Sequence, residues 1–220
     1  MFDTTTDAAG LGRRPDVLRE VSARRRAILD VAARLFAEHG YEGTSVRQIS
    51  EQVGLGAGAL YHHIGSKEDL LADIHEEFVG AIVDDLRAIV DAGIEPRDGL
   101  LAAGRLMTRY LNRYRNHMTA FFSEHRHIRG ERFAEVVRRR EEFEALITEL
   151  VRRAAPELPQ DALRLSVLAL LGMFNYGHVW YRADGPATPD EIAGRFIGLF
   201  LNGADRTDGG RRADRRRAGA

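Results

Sequence analysis

Apolar residues recur at helical spacing along most of the chain, and no strand-like alternation or internal repeat emerges. Ile28, Val31, Ala32, Leu35 and Phe36 make one face of a first helix, which the pattern ends at His39-Gly40. A short second helix follows with Val46, Ile49 and Val53 on one side, opened by a capping box of Ser45 and Gln48 and closed by Gly54. After Leu55-Gly56, Leu60 and Ile64 bury one side of a third helix and leave Ala57, Gly58, Tyr61 and His62 on the other, which carries no acid. Ser66 and Asp69 form the next capping box, with Lys67 in the first turn of the helix that follows. A cation there opposes the helix dipole, so a phosphate partner would account for it.

Beyond residue 67 the elements lengthen. A stripe of Leu71, Ile74, Phe78, Ile82 and Leu86 runs towards Asp91-Ala92-Gly93, and Pro96 opens a helix with Leu100, Leu101, Leu106, Met107, Tyr110, Leu111 and Tyr114. Residues 118–127 are aromatic and then polar; residues 131–153 form a charged helix broken by Pro156 and Pro159. Residues 160–182 are apolar almost all round, and a final helix starts at the Thr188-Pro189-Asp190-Glu191 cap and runs to Asn202-Gly203. Both have too wide an apolar face for a monomer's surface helix, which predicts pairing between two copies. The expected organisation is all-α: an arm over 1–22, a helix-turn-helix domain over 23–66, a second helical domain over 67–203 and a disordered tail over 204–220.

Composition narrows the function classes. The 220 residues are 44% hydrophobic and 30% charged, as in a soluble globular protein, with a formal net charge of −1 that gives no bulk attraction to nucleic acid. Cysteine is absent, which excludes disulfides, thiolate zinc sites and cysteine nucleophiles. No N-terminal apolar run resembles a secretion signal, and Leu165–Tyr181 is interrupted by Asn175 and His178, so a cytoplasmic protein without membrane partners is expected. The glycines of Gly54-Leu55-Gly56-Ala57-Gly58 follow a helical pattern rather than the strand that a nucleotide loop requires. No serine elbow, paired-carboxylate cleft or metal motif appears, so no catalytic residue and no cofactor is expected. A helical interaction module without a DNA role fits the periodicity equally well, since any helix-turn-helix shows it.

Residues 27–71 resemble the N-terminal DNA-binding domain of the TetR (tetracycline repressor) family of bacterial transcription regulators. The resemblance rests on Ile28, Ala32, Leu35, Phe36, Gly40-Tyr41, Thr44-Ser45-Val46, Ile49, Gly54-Leu55, Gly58, Leu60-Tyr61, His63, Lys67-Glu68 and Leu70. Gly56 and Ala57 stand where the family often has a hydroxyl and a longer polar side chain, and Ile64 stands for the usual Phe. The resemblance implies a homodimeric repressor, paired through its last two helices, that sets two recognition helices on a pseudo-palindromic double-stranded operator and releases it when a small-molecule effector binds. On that reading Thr44, Ser45, Tyr61, His63 and Lys67 position on phosphates. Arg47, Gln48, Ala57 and His62 face bases, with Gly58 permitting close approach. Arg25 and Arg26, in the basic run Arg24-Arg25-Arg26, read either as a solvated helix start or as an arm reaching the backbone or minor groove.

The expected effector lining is Met107, Tyr110, Met118, Phe121, Phe122, Phe174, Trp180 and Tyr181, with His125, Asn175 and His178 as the polar minority. Asn175 and His178 cost free energy on an apolar helix unless something hydrogen-bonds them. Residues 179–186 and the LYHHIGSKED run resemble the subgroup that represses sterol or fatty-acid degradation genes and responds to acyl-CoA thioesters. That implies an apolar acyl or steroid-like effector with Arg105, Arg109 or Arg182 as anion partners. A metal cluster of Glu124, His125, His127 and His178 is the alternative, although histidines at i and i+2 do not share a helix face.

Overall fold

The computed structural model describes residues 13–217, with side chains described from residue 21 to residue 203. The described residues are helical throughout, with no strand: α1 Arg13–Gly43, α2 Val46–Gln52, α3 Ala57–Ile64, α4 Lys67–Asp91, α5 Pro96–Glu124, a 3-10 turn His125–His127, α6 Gly130–Ala154, α7 Gln160–Asn175, α8 Gly177–Trp180 and α9 Pro189–Arg217. Helix α1 starts inside the expected arm and α9 continues through most of the expected tail; residues 1–12 and 218–220 lie outside the described residues. The Arg-rich tail's side chains do so as well.

Local chemistry sets the element ends. Ser45 Oγ accepts from the Gln48 amide at 3.2 Å while the Gln48 side chain accepts from the Ser45 amide at 2.7 Å. Ser66 and Asp69 repeat that reciprocal cap, and Thr188 with Glu191 does so before α9. Gly40 interrupts α1 at φ 75°, and Gly54 ends the α2 turn at φ 68°, where a side chain would be strained. Pro96 occupies the first position of α5 and Glu95 caps it by accepting from the amides of Arg97 and Asp98.

Two readings of element length change. Helix α5 does not stop near Tyr114 but continues to Glu124 across a kink at Tyr114 (φ −111°, ψ 24°), so the aromatic run after Met118 is helical. The apolar run after residue 160 divides at Tyr176 into α7 and the single turn α8. By length and composition alone, Gln160–Trp180 would suffice to cross a membrane. In the fold Leu163, Val167, Leu170, Leu171 and Phe174 are core, while Leu165 (70% exposed), Leu168 (45%), Tyr176 (62%) and Val179 (50%) lie open.

Helix α4 is the shared element: it packs on α1 and α3 at its start and on α5 and α6 along its length. One apolar cluster runs from Phe36, Ile49 and Leu60 of the first domain through Leu70 and Phe78 of α4 to Met118 and Phe121 of α5. A second holds the far end together, from Leu86 and Leu100 to Val167 and Ile197.

Candidate nucleic-acid interface and buried cavity

Leu60 and Ile64 anchor α3 in the core, and Ala57, Gly58, Tyr61 and His62 are exposed on its outer side. Tyr61 is 49% exposed, an aromatic ring with a free hydroxyl in solvent beside two small residues. His63 is half-buried, and its carbonyl accepts from Arg25 Nη1 at 3.2 Å. On α2, Arg47 reaches out with its side chain 84% exposed and, among the described residues, pairs with Glu51 at 2.8 Å. Gln48 spends its carbonyl oxygen on Ser45, which leaves its amide hydrogens for an outside acceptor.

Three expected DNA contacts are corrected. Thr44 is buried, and its hydroxyl donates to the Gly40 carbonyl at 2.9 Å and lies 3.1 Å from that of Leu35, so it fastens the α1–α2 link and cannot reach a phosphate. Arg25 and Arg26 lie within α1 rather than on an arm. Their guanidiniums clamp α1 to α4 through Asp73 at 2.7 Å and Glu77 at 2.9 Å. Lys67 keeps its place in the first turn of α4, with its ammonium 4.1 Å from the centre of the Tyr41 ring. Burial lowers its pKa below the ordinary lysine value, against the pull of Glu42 and Glu124.

Behind this surface, α4, α5, α6 and α7 enclose a cavity of about 80 Å³. Met107, Tyr110, Met118, Phe121, Phe122, Phe174 and Asn175 line it as the sequence suggests, joined by His75, Phe78, Val79, Ile82, Arg140 and Phe143. The Tyr110 hydroxyl donates to Asp85 at 2.9 Å; burial and that bond raise its pKa, and its polar tip is already committed. His125 and His178 are not in the lining. The ring Nδ1 of His178 bonds the Asn175 carbonyl at 2.6 Å where α7 ends, and that of His125 bonds the Phe122 carbonyl at 3.3 Å, so each serves its own turn. Trp180 is 43% exposed and Tyr181 lies in the core with its hydroxyl on Asn112, both away from the cavity.

The anion partners also change. Arg105 faces Asp190 at 3.6 Å, Arg182 pairs with Asp184, and Arg109 is exposed outside the lining. The charged side chain at the cavity is Arg140, which with Asn175 also lines a neighbouring surface groove. Next to it Arg139 is held by Glu76 at 2.8 Å and Arg132 by Asp73 at 2.5 Å, whereas Arg140 has no ion pair among the described residues. His75 is 1% exposed and neither ring nitrogen has a hydrogen-bond partner among the described residues. Burial, then the charges of Arg140 and Arg139, push its pKa down to about 3, so the ring is neutral at physiological pH. The signal for His75 was present in the sequence: it falls four residues after Leu71 and three before Phe78, a titratable group inside the apolar stripe. Among the described residues no group of three or more His, Asp or Glu gathers as a metal site; His127 instead stacks on Tyr41 at 4.4 Å between ring centroids.

Comparison with known proteins agrees with this geometry. Residues 28–74 match the model of bacterial regulatory proteins of the tetR family, and residues 81–204 match the tetracyclin repressor-like C-terminal domain. The HTH-type transcriptional repressor KstR2 of Rhodococcus jostii is 29% identical over 189 residues, covering 83% of this chain and 91% of its own. The TetR-family regulator PfmR of Thermus thermophilus superposes with a TM-score of 0.73 at 28% identity, over 80% of this chain and 97% of that one. AibR, solved in complex with isovaleryl coenzyme A and operator DNA, superposes with a TM-score of 0.69 at 29% identity, over 80% and 97% of the two chains. These relatives are regulators rather than enzymes, and with both of its domains matched, this chain belongs to the TetR family of DNA-binding transcription regulators.

Proposed function

We propose that this protein is a homodimeric repressor released from its operator by an apolar acyl-type effector, held in the α4–α7 cavity with its anionic end at Arg140. The observation that carries the reading is continuity: Phe78 and Val79, which line the cavity, belong to the same apolar cluster as Leu60 and Ile64 of the reading helix. A cavity of about 80 Å³ holds only a few heavy atoms, so an acyl chain must push α4 away from α5 and α6 to enter. Displacing α4 displaces what is fastened to it, and Arg25–Asp73 and Arg26–Glu77 fasten α1. Two copies would set their α3 helices into successive major grooves about 34 Å apart, and a change in that separation weakens both half-sites together.

Tyr61, His62 and Arg47 are the exposed residues best placed to touch DNA, with Ala57 and Gly58 letting the backbone of α3 come close. The AibR complex, which holds an acyl thioester of coenzyme A, supports the effector class by analogy. A guanidinium without an internal partner at the mouth of an apolar cavity suits a carboxylate or phosphate, which it can meet with two parallel hydrogen bonds. A protein working on DNA from such a site belongs in the cytoplasm.

Selecting duplexes from a random pool with purified protein, then titrating isovaleryl and longer acyl coenzyme A thioesters against the selected operator by fluorescence anisotropy, tests the reading. Release of DNA with an affinity ratio of about 5 to 150 is the expected coupling. Indifference to every duplex at low ionic strength would refute the regulator, and unchanged affinity at saturating thioester would refute the effector class.

A further inference from the structure

We propose that His75 is a specificity-determining residue of the cavity, making it select ligands that carry a hydroxyl or keto oxygen along an apolar body over plain hydrocarbon chains of the same length. This rests on the reading that the cavity takes an apolar ligand with an anionic end.

The argument begins with cost. A side chain that is 1% exposed and offers two polar nitrogens to no protein partner is an expense that an apolar residue at this position would avoid. The ring sits among Phe78, at 5.4 Å between centroids, and Phe121, at 4.3 Å, and neither nitrogen has a hydrogen-bond partner among the described residues. The remaining polar groups of the lining do not duplicate it. Tyr110 gives its hydroxyl to Asp85, and Arg140 and Asn175 stand where the cavity meets the neighbouring groove. His75, which also borders the charged groove of Glu76, Arg132, Arg139 and Glu142 between α4 and α6, is therefore the unpaired hydrogen-bonding group of the apolar lining, and Arg140 the charge at its edge.

Chemistry fixes what such a group recognises. A neutral imidazole donates through one nitrogen and accepts through the other, so a ligand hydroxyl can satisfy either and a keto oxygen can accept from the N–H. An ionised carboxylate beside it would be buried against rings, whereas at Arg140 it is paired; the ligand thus enters with its anion outward and its oxygen-bearing body inward. Sites built to hydrogen-bond a ligand oxygen reject the analogue that lacks it far better than apolar pockets reject an extra methylene.

The test uses the full-length protein with decanoate and a series of hydroxydecanoates, the hydroxyl moved along the chain, measured by calorimetry. At least one hydroxylated member should bind the wild type about tenfold tighter than decanoate. His75→Phe should erase that preference while binding decanoate no more weakly, and His75→Gln, which keeps a donor and an acceptor, should restore part of it. Undiminished preference in His75→Phe, no preference in the wild type, or no binding of any member would each overturn the assignment. The parent reading is scored separately, by release of the operator with acyl coenzyme A thioesters and by binding of decanoate itself: a protein that does both without preferring an oxygen sinks only the role of His75.

Discussion

His75 has a consequence for stability as well as for recognition. Its pKa is about 3 in the fold against 6.5 for the free side chain, so the unfolded chain binds a proton that the folded chain refuses. Stability from the neutral ring is complete above pH 6.5 and is lost as pH falls towards 3; at pH 5 the loss is about 2 kcal/mol. His117, lowered to about 4 by burial, adds a slope of the same sign. Urea unfolding at pH 7.5 and pH 5 should therefore show the wild type weakening, with His75→Phe removing about half of the fall and gaining about 1 kcal/mol at pH 7.5 from the lost unsatisfied nitrogens. An unchanged slope in the variant would place the titration elsewhere. Thr44 gives the complementary prediction: Thr44→Val removes a buried hydroxyl bonded to the Gly40 carbonyl and should cost about 1 kcal/mol, with salt-dependence of operator binding unaltered. A reduced salt slope would return Thr44 to the DNA surface. At this scale the sequence was legible where spacing is local, as in the three capping boxes and the exposed side of α3. It misled where an exposed and a buried role share one residue type: nothing local distinguishes a Thr on a phosphate from a Thr on two carbonyls, or an Arg on DNA from an Arg on Asp73.

Elements follow the same division. Stripes at 3.6 spacing and their caps mark α2 to α4 within a residue or two, because those signals sit inside each helix, whereas α1 starts at Arg13, inside the expected arm, and runs to Gly43. The continuation of α5 past Tyr114 and the break after Asn175 are set by packing: His178 closes the end of α7 and stacks on Phe122 across the gap at 5.0 Å. Helix α4 carries the mechanical argument. Asp73, with its side chain 15% exposed, accepts from Arg25 at 2.7 Å and Arg132 at 2.5 Å, joining α1 and α6 through one carboxylate. Asp73→Asn should leave operator affinity of the ligand-free protein within a few-fold of wild type and lower the ratio of affinities without and with thioester by about tenfold. Equal ratios in both proteins would mean that movement of α4 reaches α3 through apolar contacts alone.

For the whole molecule, the open side of α7 and α9 is the face through which the proposed homodimer would pair. Leu165, Leu168, Tyr176, Val179 and Leu199 are each at least 45% exposed, while Gly172, Gly194 and Gly198 have open space where a side chain would stand. Exposed apolar side chains with small residues among them let a second helix pair approach closely, and covering them removes apolar surface from water. The sequence revealed that these helices were too apolar for a surface but could not say which side was core; the burial of Leu163, Val167, Leu170 and Phe174 leaves the remainder open for the partner copy of the proposed homodimer. Leu165→Glu combined with Leu199→Glu would put four carboxylates into the proposed twofold interface while touching side chains that are 70% and 52% exposed in one copy. Sedimentation should then report a monomer with unchanged helical circular dichroism. Because the second half-site no longer binds at high effective concentration, operator affinity should fall about 100-fold or more. A variant that stays dimeric and holds its operator would show that the copies meet through another face, and the spacing of the two reading helices would have to be rebuilt from there.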